Sequence, residues 1–336
     1  WRLTGNLDPI DVDGVDRAVK WIERKRKAKR RRADVELRGL LPASISAEHL
    51  GPFDYFYWDD FWSLRGLRDG AALLRAGGMD TAADDAMAAA ASLEGDLDRS
   101  IAHVAERLGH QAIPAGPRRR IDPGSIGSLV ACEPLQLYAA DDPRIAATAE
   151  MIRDRFCIGP AFFQGISHTG FGTYLTLQLA SVELAAGDRR ALERLAWMVE
   201  VATPTATWPE AIHPHLLGGC MGDGHHGWAA ADFLSFVRNL LVREVDGGLA
   251  LCSMLPDAWM HQPIEVHDAP THHGLLSFAV RWHGDKPALL WDLRPHAGAG
   301  EPSTAVTITA PGLDPTWSTT LRKGEELLAT SVPASP

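Results

Sequence analysis

The chain has 336 residues, of which 46% are hydrophobic and 23% are charged, and its formal net charge is −10. This length suffices for one large domain, or for a large and a small one, with a sizeable buried core. The negative charge argues against a general binder of nucleic acid or of anionic membranes, and we expect neither as a partner. No apolar run reaches the length of a transmembrane helix, and no signal peptide is visible.

Four cysteines, Cys132, Cys157, Cys220 and Cys252, lie far apart and form no CxxC pair. Their spacing fits neither a disulfide scaffold nor a paired-cysteine metal site. We therefore expect free thiols in a reducing compartment and predict a cytoplasmic location. The chain begins at Trp1 rather than Met, which leads us to expect a missing N-terminal portion.

The first part of the chain is predicted to be helical. A helix with a basic C-terminal half covers residues 9–33, and we interpret its cations as a solvated face that complements the helix dipole. A second helix has Asp59 and Asp60 in its first turn and ends at Gly77, and an Ala-rich helix then runs to Gly109. Five further helices are predicted in the segments that begin IGSLV, DPRIA, TYLTL, DRRAL and GWAAA.

After about residue 245 the pattern changes to short apolar or alternating runs bounded by Gly, Pro and Asp, as in "LLSFAVRWHG" and "STAVTITAPG". Such runs predict strands. We therefore predict a mainly α fold, with a helical domain at 1–245 and a small antiparallel, β-sandwich-like domain at 246–336. Long loops alternate with short ones between the helices, which is typical of a toroid of helical hairpins.

The segment "TWPEAIHPHLLGGCMGDGHHGWAAADF" combines carboxylates, histidines, tryptophans and glycines between two helices. Glycine-rich loops allow the backbone to approach a ligand closely. The carboxylates Glu210 and Asp223 and the histidines His225 and His226 supply acid–base and hydrogen-bonding groups. This composition indicates a functional loop.

A second set of carboxylates, Asp54, Asp59 and Asp60, lies among aromatic residues in "FDYFYWDDFW". Two carboxylate clusters set among aromatics suit glycoside hydrolysis, where one acid protonates the leaving oxygen and one base activates a water. Other interpretations stay open. Asp59 or Asp60 can cap the helix, backbone N–H groups can satisfy Glu210, and histidines can bind a metal with Cys220, although that spacing matches no standard zinc pattern.

Three segments resemble the six-hairpin glycosidases, the (α/α)6-toroid clan that includes glucoamylase, trehalase, the glucosidases that trim N-glycans, and α-L-rhamnosidase. "YFYWDDFWSLRGLRDGAALLRAGG" resembles the Trp-acid-acid run of glucoamylase and the Tyr-Trp-Asp segment of trehalase. "ATWPEAIHP" is similar to the Thr-x-Trp-Glu segment of rhamnosidases, and "GGCMGDGHHGWAAADF" to the Gly-rich stretch ending in Gly-Trp of trehalase. The resemblance covers most of residues 38–295 and is specific for the clan rather than for one member.

The resemblance implies roles for particular residues. Asp59 or Asp60 would be the general acid, and Glu210 the general base, with Asp223 as its rival. The sugar subsites would be lined by Tyr57, Trp58, Trp208, His225, His226 and Trp228. We also expect Trp62, in the aromatic run, and His168, on another long loop, to line the site. Most members of the clan invert the anomeric configuration, which requires about 6.5–9.5 Å between the two carboxyl groups.

The sequence thus predicts an inverting glycoside hydrolase that acts on an α-linked glucoside or related oligosaccharide, with no metal or cofactor. The alternative is a non-catalytic carbohydrate-binding or assembly subunit on the same toroid. This alternative is motivated by the number of predicted helices, which is smaller than the twelve in a complete toroid of six hairpins. The N-terminal hairpins would then lie on a lost segment or on a second chain. A metal-dependent toroid, as in lanthionine cyclases, would use Cys220, His225 and His226.

Overall fold

The computed structural model of the chain describes residues 1–27, 34–45, 53–166, 169–296 and 305–329. These residues form two compact units. One unit comprises Asp11–Phe233, and the other combines Trp1–Ile10 with Leu234–Pro336. The sequence-based boundary after residue 245 lies inside the second unit.

The first unit is built mainly from helices. They are α1 (Val12–Lys27), α2 (Tyr57–Ala76), α3 (Asp80–Leu108), α4 (Pro143–Phe156), α5 (Thr173–Ala185), α6 (Arg190–Glu200) and the start of α7 (Gly227–Leu241). Within this unit α2 packs along α3, and α5 packs along α6. A 3-10 helix over Pro123–Ala131 takes the place of the short helix predicted there, and its two glycines disfavour a regular α-helix.

Helix α2 shows how the apolar spacing sets its buried face. Tyr57, Phe61, Leu64 and Leu67 recur every three to four residues, and all four are fully buried. The helix ends where Gly77 donates its N–H to the carbonyl of Leu73. The first turn therefore has one face in the core and another free to carry polar groups.

Five short strands of the first unit form an antiparallel sheet. They are β1 (Cys157–Ile158), β2 (Ala161–Gly165), β3 (Thr169–Gly172), β4 (Ala211–Ile212) and β5 (Gly219–Met221), in that order across the sheet. The sequence analysis predicted loops for residues 157–172 and 211–221, and these strands correct that prediction. Phe171 pairs with Ile212, and Gly172 pairs with Ala211, so the sheet joins two segments that are distant in the sequence.

The second unit contains two four-stranded sheets. Their strands are β6 (Val242–Val245), β7 (Gly248–Leu251), β8 (Ile264–Thr271), β9 (Gly274–His283), β10 (Lys286–Arg294), β11 (Thr307–Ala310), β12 (Asp314–Thr319) and β13 (Lys323–Leu327). One sheet has the order β13-β10-β9-β8 and the other β12-β11-β7-β6. Leu249 and Ile308 from one sheet share a single apolar core with Phe278 and Leu289 from the other. The pair β7–β11 is parallel, which differs from the purely antiparallel domain that was predicted.

A helical part with a sheet-rich part after it is therefore confirmed. The described residues hold seven α-helices, and closure into a toroid of six hairpins stays a prediction. None of the helices in the described ranges combines the length and the apolar character that a membrane-spanning segment needs.

Candidate active site

Glu210 is anchored by its backbone at the N-terminus of α5. The N–H of Thr173 donates to the carbonyl of Glu210 at 3.1 Å, and the Thr173 hydroxyl donates to the carbonyl of Pro209 at 2.8 Å. The first N–H groups of a helix lack partners within the helix, so the Glu210 carbonyl acts as a cap. The Glu210 side chain is 21% exposed. The carboxylate is thus fixed at its base and reachable from solvent.

The Glu210 carboxylate faces the imidazole of His226. Glu210 Oε2 and His226 Nε2 are 4.0 Å apart. His226 directly precedes α7, its backbone N–H donates to the Trp208 carbonyl at 2.8 Å, and its Nδ1 accepts the N–H of Ala229 at 3.4 Å. These contacts hold the backbone and one ring nitrogen, and they direct the other ring nitrogen toward Glu210.

Two aromatic side chains flank His226. The ring centroid of Tyr174 lies 5.1 Å from that of His226 and 5.5 Å from that of Trp228. Trp228 is 48% exposed, whereas Tyr174 is buried. An exposed indole offers a flat apolar face on which a sugar ring can stack.

Tyr174 was not among the predicted site residues. It is the second residue of an apolar helix, and no carboxylate or histidine is near it in the sequence between Gly170 and Gln178. Only the pairing of β3 with β4 brings the start of α5 against Glu210.

Gly222 packs directly against Glu210. Its φ is +77°, and a Cβ atom at this position would lie 3.1 Å from the Glu210 nitrogen and 3.4 Å from the Glu210 Cβ. Glycine adopts positive φ at little cost and leaves room for this close approach. At least this glycine of the loop therefore shapes the surroundings of the carboxylate.

Asp223 and His225, two other predicted site residues, are exposed on the same loop. Asp223 Oδ1 accepts the backbone N–H of His225 at 3.0 Å. An aspartate that accepts the N–H two residues ahead stabilises a turn. This bond gives Asp223 a structural role in the turn after β5.

The three residues of the metal alternative point to different partners. The Cys220 thiol donates to the carbonyl of Thr169 at 3.5 Å, His226 faces Glu210, and His225 is exposed. In the part of the chain that the structure describes, no three metal-ligating side chains converge. The geometry gives no support to a metal centre built on this cluster.

Two aromatics predicted to line the subsites lie in the core, which is a correction. Trp208 is 5% exposed, and its indole N–H donates to the Met198 carbonyl at 2.8 Å. Tyr57 is fully buried, with its hydroxyl 2.8 Å from the Ser100 hydroxyl. Both side chains satisfy their polar atoms inside the protein, as buried Trp and Tyr usually do. They support the segments that carry the site and offer no surface to a sugar.

The structure separates Asp59 from Asp60. Asp60 is 1% exposed, and its Oδ1 accepts the N–H of Leu41 at 2.9 Å. Burial raises the pKa of Asp60 to about 7. Asp59 is only partly buried and accepts the Ser44 hydroxyl at 2.6 Å. Neighbours in a helix point about 100° apart, so one carboxylate lies inside and the other near the surface.

Trp58 and Trp62 accompany Asp59 on α2. Their ring centroids are 5.7 Å apart, and Trp62 is exposed. These three residues form a second group, distinct from the one around Glu210 on α5 and α7. His168, the remaining predicted site residue, lies outside the described residues.

Asp232 is a further carboxyl group that the sequence analysis did not single out. It lies one helical turn after Trp228 on α7. Burial raises its pKa to about 6. A carboxyl group with a raised pKa on the same helix as an exposed aromatic is a candidate for proton transfer. In the sequence, only the four-residue spacing from Trp228 could have pointed to Asp232.

A comparison with family models finds no match, and a comparison with curated proteins finds none either. Among solved structures, a sialidase matches over 89% of this chain and 30% of its own, with a TM-score of 0.51 and 11% identity. A bacterial glucoamylase complexed with acarbose matches over 67% of this chain and 38% of its own, with a TM-score of 0.47 and 14% identity. A GH78 family rhamnosidase of Bacillus sp. GL1 matches over 84% and 29%, with a TM-score of 0.45 and 15% identity.

The chain's structural neighbours include glycosidases. The chain spans less than half of the length of these three structures. At 11% identity the likeness to the sialidase concerns the fold alone, and the likenesses to the glucoamylase and the rhamnosidase are weaker.

Proposed function

We propose that this chain is a glycoside hydrolase in which Glu210 is the general base. The proposal depends on the surroundings of Glu210: an anchored, 21% exposed carboxylate that faces His226, whose ring lies 6.4 Å from the exposed indole of Trp228. A general base must reach a water while the substrate is bound beside it. A partly exposed carboxylate near a stacking surface meets both requirements.

For the general acid we propose Asp59. It is the less buried of the two neighbouring carboxylates, and exposed Trp62 lies on the same helix one turn away. Asp60 is enclosed and bonded to the backbone of Leu41, which supports a structural role for it. We further propose an inverting reaction on an α-linked glucoside or related oligosaccharide, the reaction and substrate class that the resemblance implies.

Replacing Glu210 with Gln tests the base directly. The amide has nearly the shape of the carboxylate but cannot take a proton from water. We expect kcat on an α-linked oligosaccharide to fall by about 10²–10⁴-fold, the usual contribution of general base catalysis. Glu200→Gln makes the same chemical change at an exposed position at the end of α6 and should leave kcat unchanged. Full activity in Glu210→Gln would refute the assignment.

Asp223→Asn distinguishes Glu210 from its rival. The asparagine oxygen can still accept the His225 N–H, so the turn after β5 should persist. If Asp223→Asn abolishes hydrolysis while Glu210→Gln does not, Asp223 is the base. Circular dichroism of both variants checks that neither loss comes from unfolding.

A carbohydrate-binding or assembly subunit without turnover is the second candidate. It is favoured by the tip of the β4–β5 hairpin, where Leu216 is 80% exposed and Leu217 is 65% exposed. Exposed apolar residues that cluster on one element suit a contact with another surface. Quenching of tryptophan fluorescence by an oligosaccharide, without any release of sugar, would favour this role over hydrolysis.

A further inference from the structure

His226 makes more contacts with neighbouring residues than a side chain needs if its only role is to touch the substrate. Its backbone N–H bonds to Trp208, its Nδ1 bonds to Ala229, and its ring packs against Tyr174. The remaining polar atom, Nε2, faces Glu210. We propose that His226 is a positioning residue, whose Nε2–H orients the Glu210 carboxylate. This inference rests on the role proposed for Glu210.

The helix cap determines which ring nitrogen carries the proton. A neutral imidazole has one N–H and one acceptor nitrogen. Because Nδ1 accepts the Ala229 N–H at 3.4 Å, its lone pair is occupied and the proton resides on Nε2. Ala229 is the third residue of α7, where a side chain that precedes the helix usually accepts a free N–H. Capping of α7 and the donor toward Glu210 are thus two functions of one ring.

The separation of 4.0 Å between His226 Nε2 and Glu210 Oε2 is longer than a hydrogen bond. Catalytic hydrogen bonds are commonly long in the uncomplexed enzyme and shorten when substrate binds. The Ala229 N–H on Nδ1 and the packing against Tyr174 keep the ring from turning away, so a small movement of the flexible Glu210 side chain closes the gap. His226 therefore restricts the carboxylate to one region of the site.

Two variants separate the cap from the donor. In His226→Asn the short side chain can still cap α7 but cannot reach Glu210, whereas His226→Gln places an amide N–H near the former Nε2 and weakens the cap. We expect His226→Asn to keep the wild-type melting temperature and to lose kcat by about tenfold to a hundredfold with little change in KM. His226→Gln should recover part of kcat and melt at a lower temperature. Wild-type kcat in His226→Asn would overturn the proposal.

A measurement on the folded protein decides the geometry without any substrate. Long-range 1H–15N correlation of the His226 ring, at mildly alkaline pH, should show the Nε2–H tautomer. Its Nε2–H resonance should move in Glu210→Gln and stay in place in Asp223→Asn, which changes a carboxylate on the same loop. An Nδ1–H tautomer, or a resonance indifferent to Glu210→Gln, would contradict the proposal. Absence of hydrolysis by the wild-type protein with the expected spectra would instead refute the proposed function alone.

Discussion

Asp59 and Asp60 differ in burial, although the sequence alone does not distinguish them. Both stand in the first turn of α2, where carboxylates are favoured by the helix dipole. Which one lies inside depends on the angle at which α2 packs, because Asp60 follows the buried face of Tyr57 and Phe61. The sequence restricts the candidates to two residues, and the packing of the helix separates them.

The buried carboxyl of Asp60 should make stability depend on pH. Its pKa is about 7 in the folded chain against 3.8 for an ordinary aspartate, because burial disfavours the charged form. As pH rises between these values the unfolded chain loses its proton first, so the free energy of unfolding falls until about pH 7.

Asp60→Asn removes this dependence and keeps an oxygen for the Leu41 N–H. We expect the variant to exceed the wild type in stability by about 4 kcal/mol at mildly alkaline pH, with the difference vanishing in acid where both side chains are neutral. Urea unfolding of both proteins across a pH series measures this difference in the free energy of unfolding. A variant that is less stable than the wild type in alkali would show that the folded chain needs the anion.

The burial of Trp208 and Trp228 is likewise not predictable from the sequence alone. The sequence assigns both to one polar loop, yet the first is in the core and the second is exposed. Residue type predicts a large apolar surface in each case. Whether that surface meets the core or solvent depends on tertiary packing, which in Trp208 brings the indole N–H to the Met198 carbonyl ten residues away.

At the scale of elements, the helices were predictable and the small sheet was not. Helices such as α2 and α3 carry apolar residues at helical spacing over many turns, and glycines mark their ends. Strands β4 and β5 have only two and three residues. A run so short has no measurable period, and its pairing partner β3 lies about forty residues earlier in the chain.

The turn after β5 provides a test at this scale. Gly222 and Gly224 both have positive φ, but a Cβ atom meets Glu210 only at Gly222, whereas at Gly224 it meets open space. We expect both Gly222→Ala and Gly224→Ala to lose stability by about 1 kcal/mol through backbone strain. Only Gly222→Ala should also displace Glu210.

Comparison of kcat in these two variants measures that displacement. The alanine Cβ at position 222 would be within 3.1 Å of the Glu210 nitrogen, so the anchored backbone has to shift. Small misplacements of a catalytic group cost large factors in rate, and we expect the loss of kcat to be greater in Gly222→Ala. Equal losses in both variants would indicate strain alone and would separate Gly222 from the site.

At the scale of the whole molecule, the change in the hydrophobic pattern near residue 245 predicted a helical part and a sheet-rich part. The structure confirms that division of secondary structure, while residues 1–10 join the second unit. Nothing in the sequence indicates this, since the order of segments along a chain does not encode which distant segments associate. The same limit applies to the site, where the pairing of β3 with β4 brings the start of α5, with Tyr174, to the segment that carries Glu210.

The resemblance and the site geometry meet at Glu210. The segment "ATWPEAIHP" identified it by its similarity to rhamnosidases, and the structure shows its carboxylate facing His226, whose ring in turn neighbours the exposed Trp228. A base activates a water, and attack by that water inverts the anomeric centre. The stereochemistry of the product therefore tests the role of Glu210 and the class of reaction together.

The measurement is the configuration of the first sugar that the wild-type chain releases from an α-linked oligosaccharide, followed by 1H NMR before mutarotation and repeated with Glu210→Gln. We expect the β-anomer from the wild type and no release above background from the variant. The α-anomer would show a double displacement, in which a carboxylate attacks the sugar directly. That product, or undiminished release by Glu210→Gln, would contradict Glu210 as the base of an inverting hydrolase.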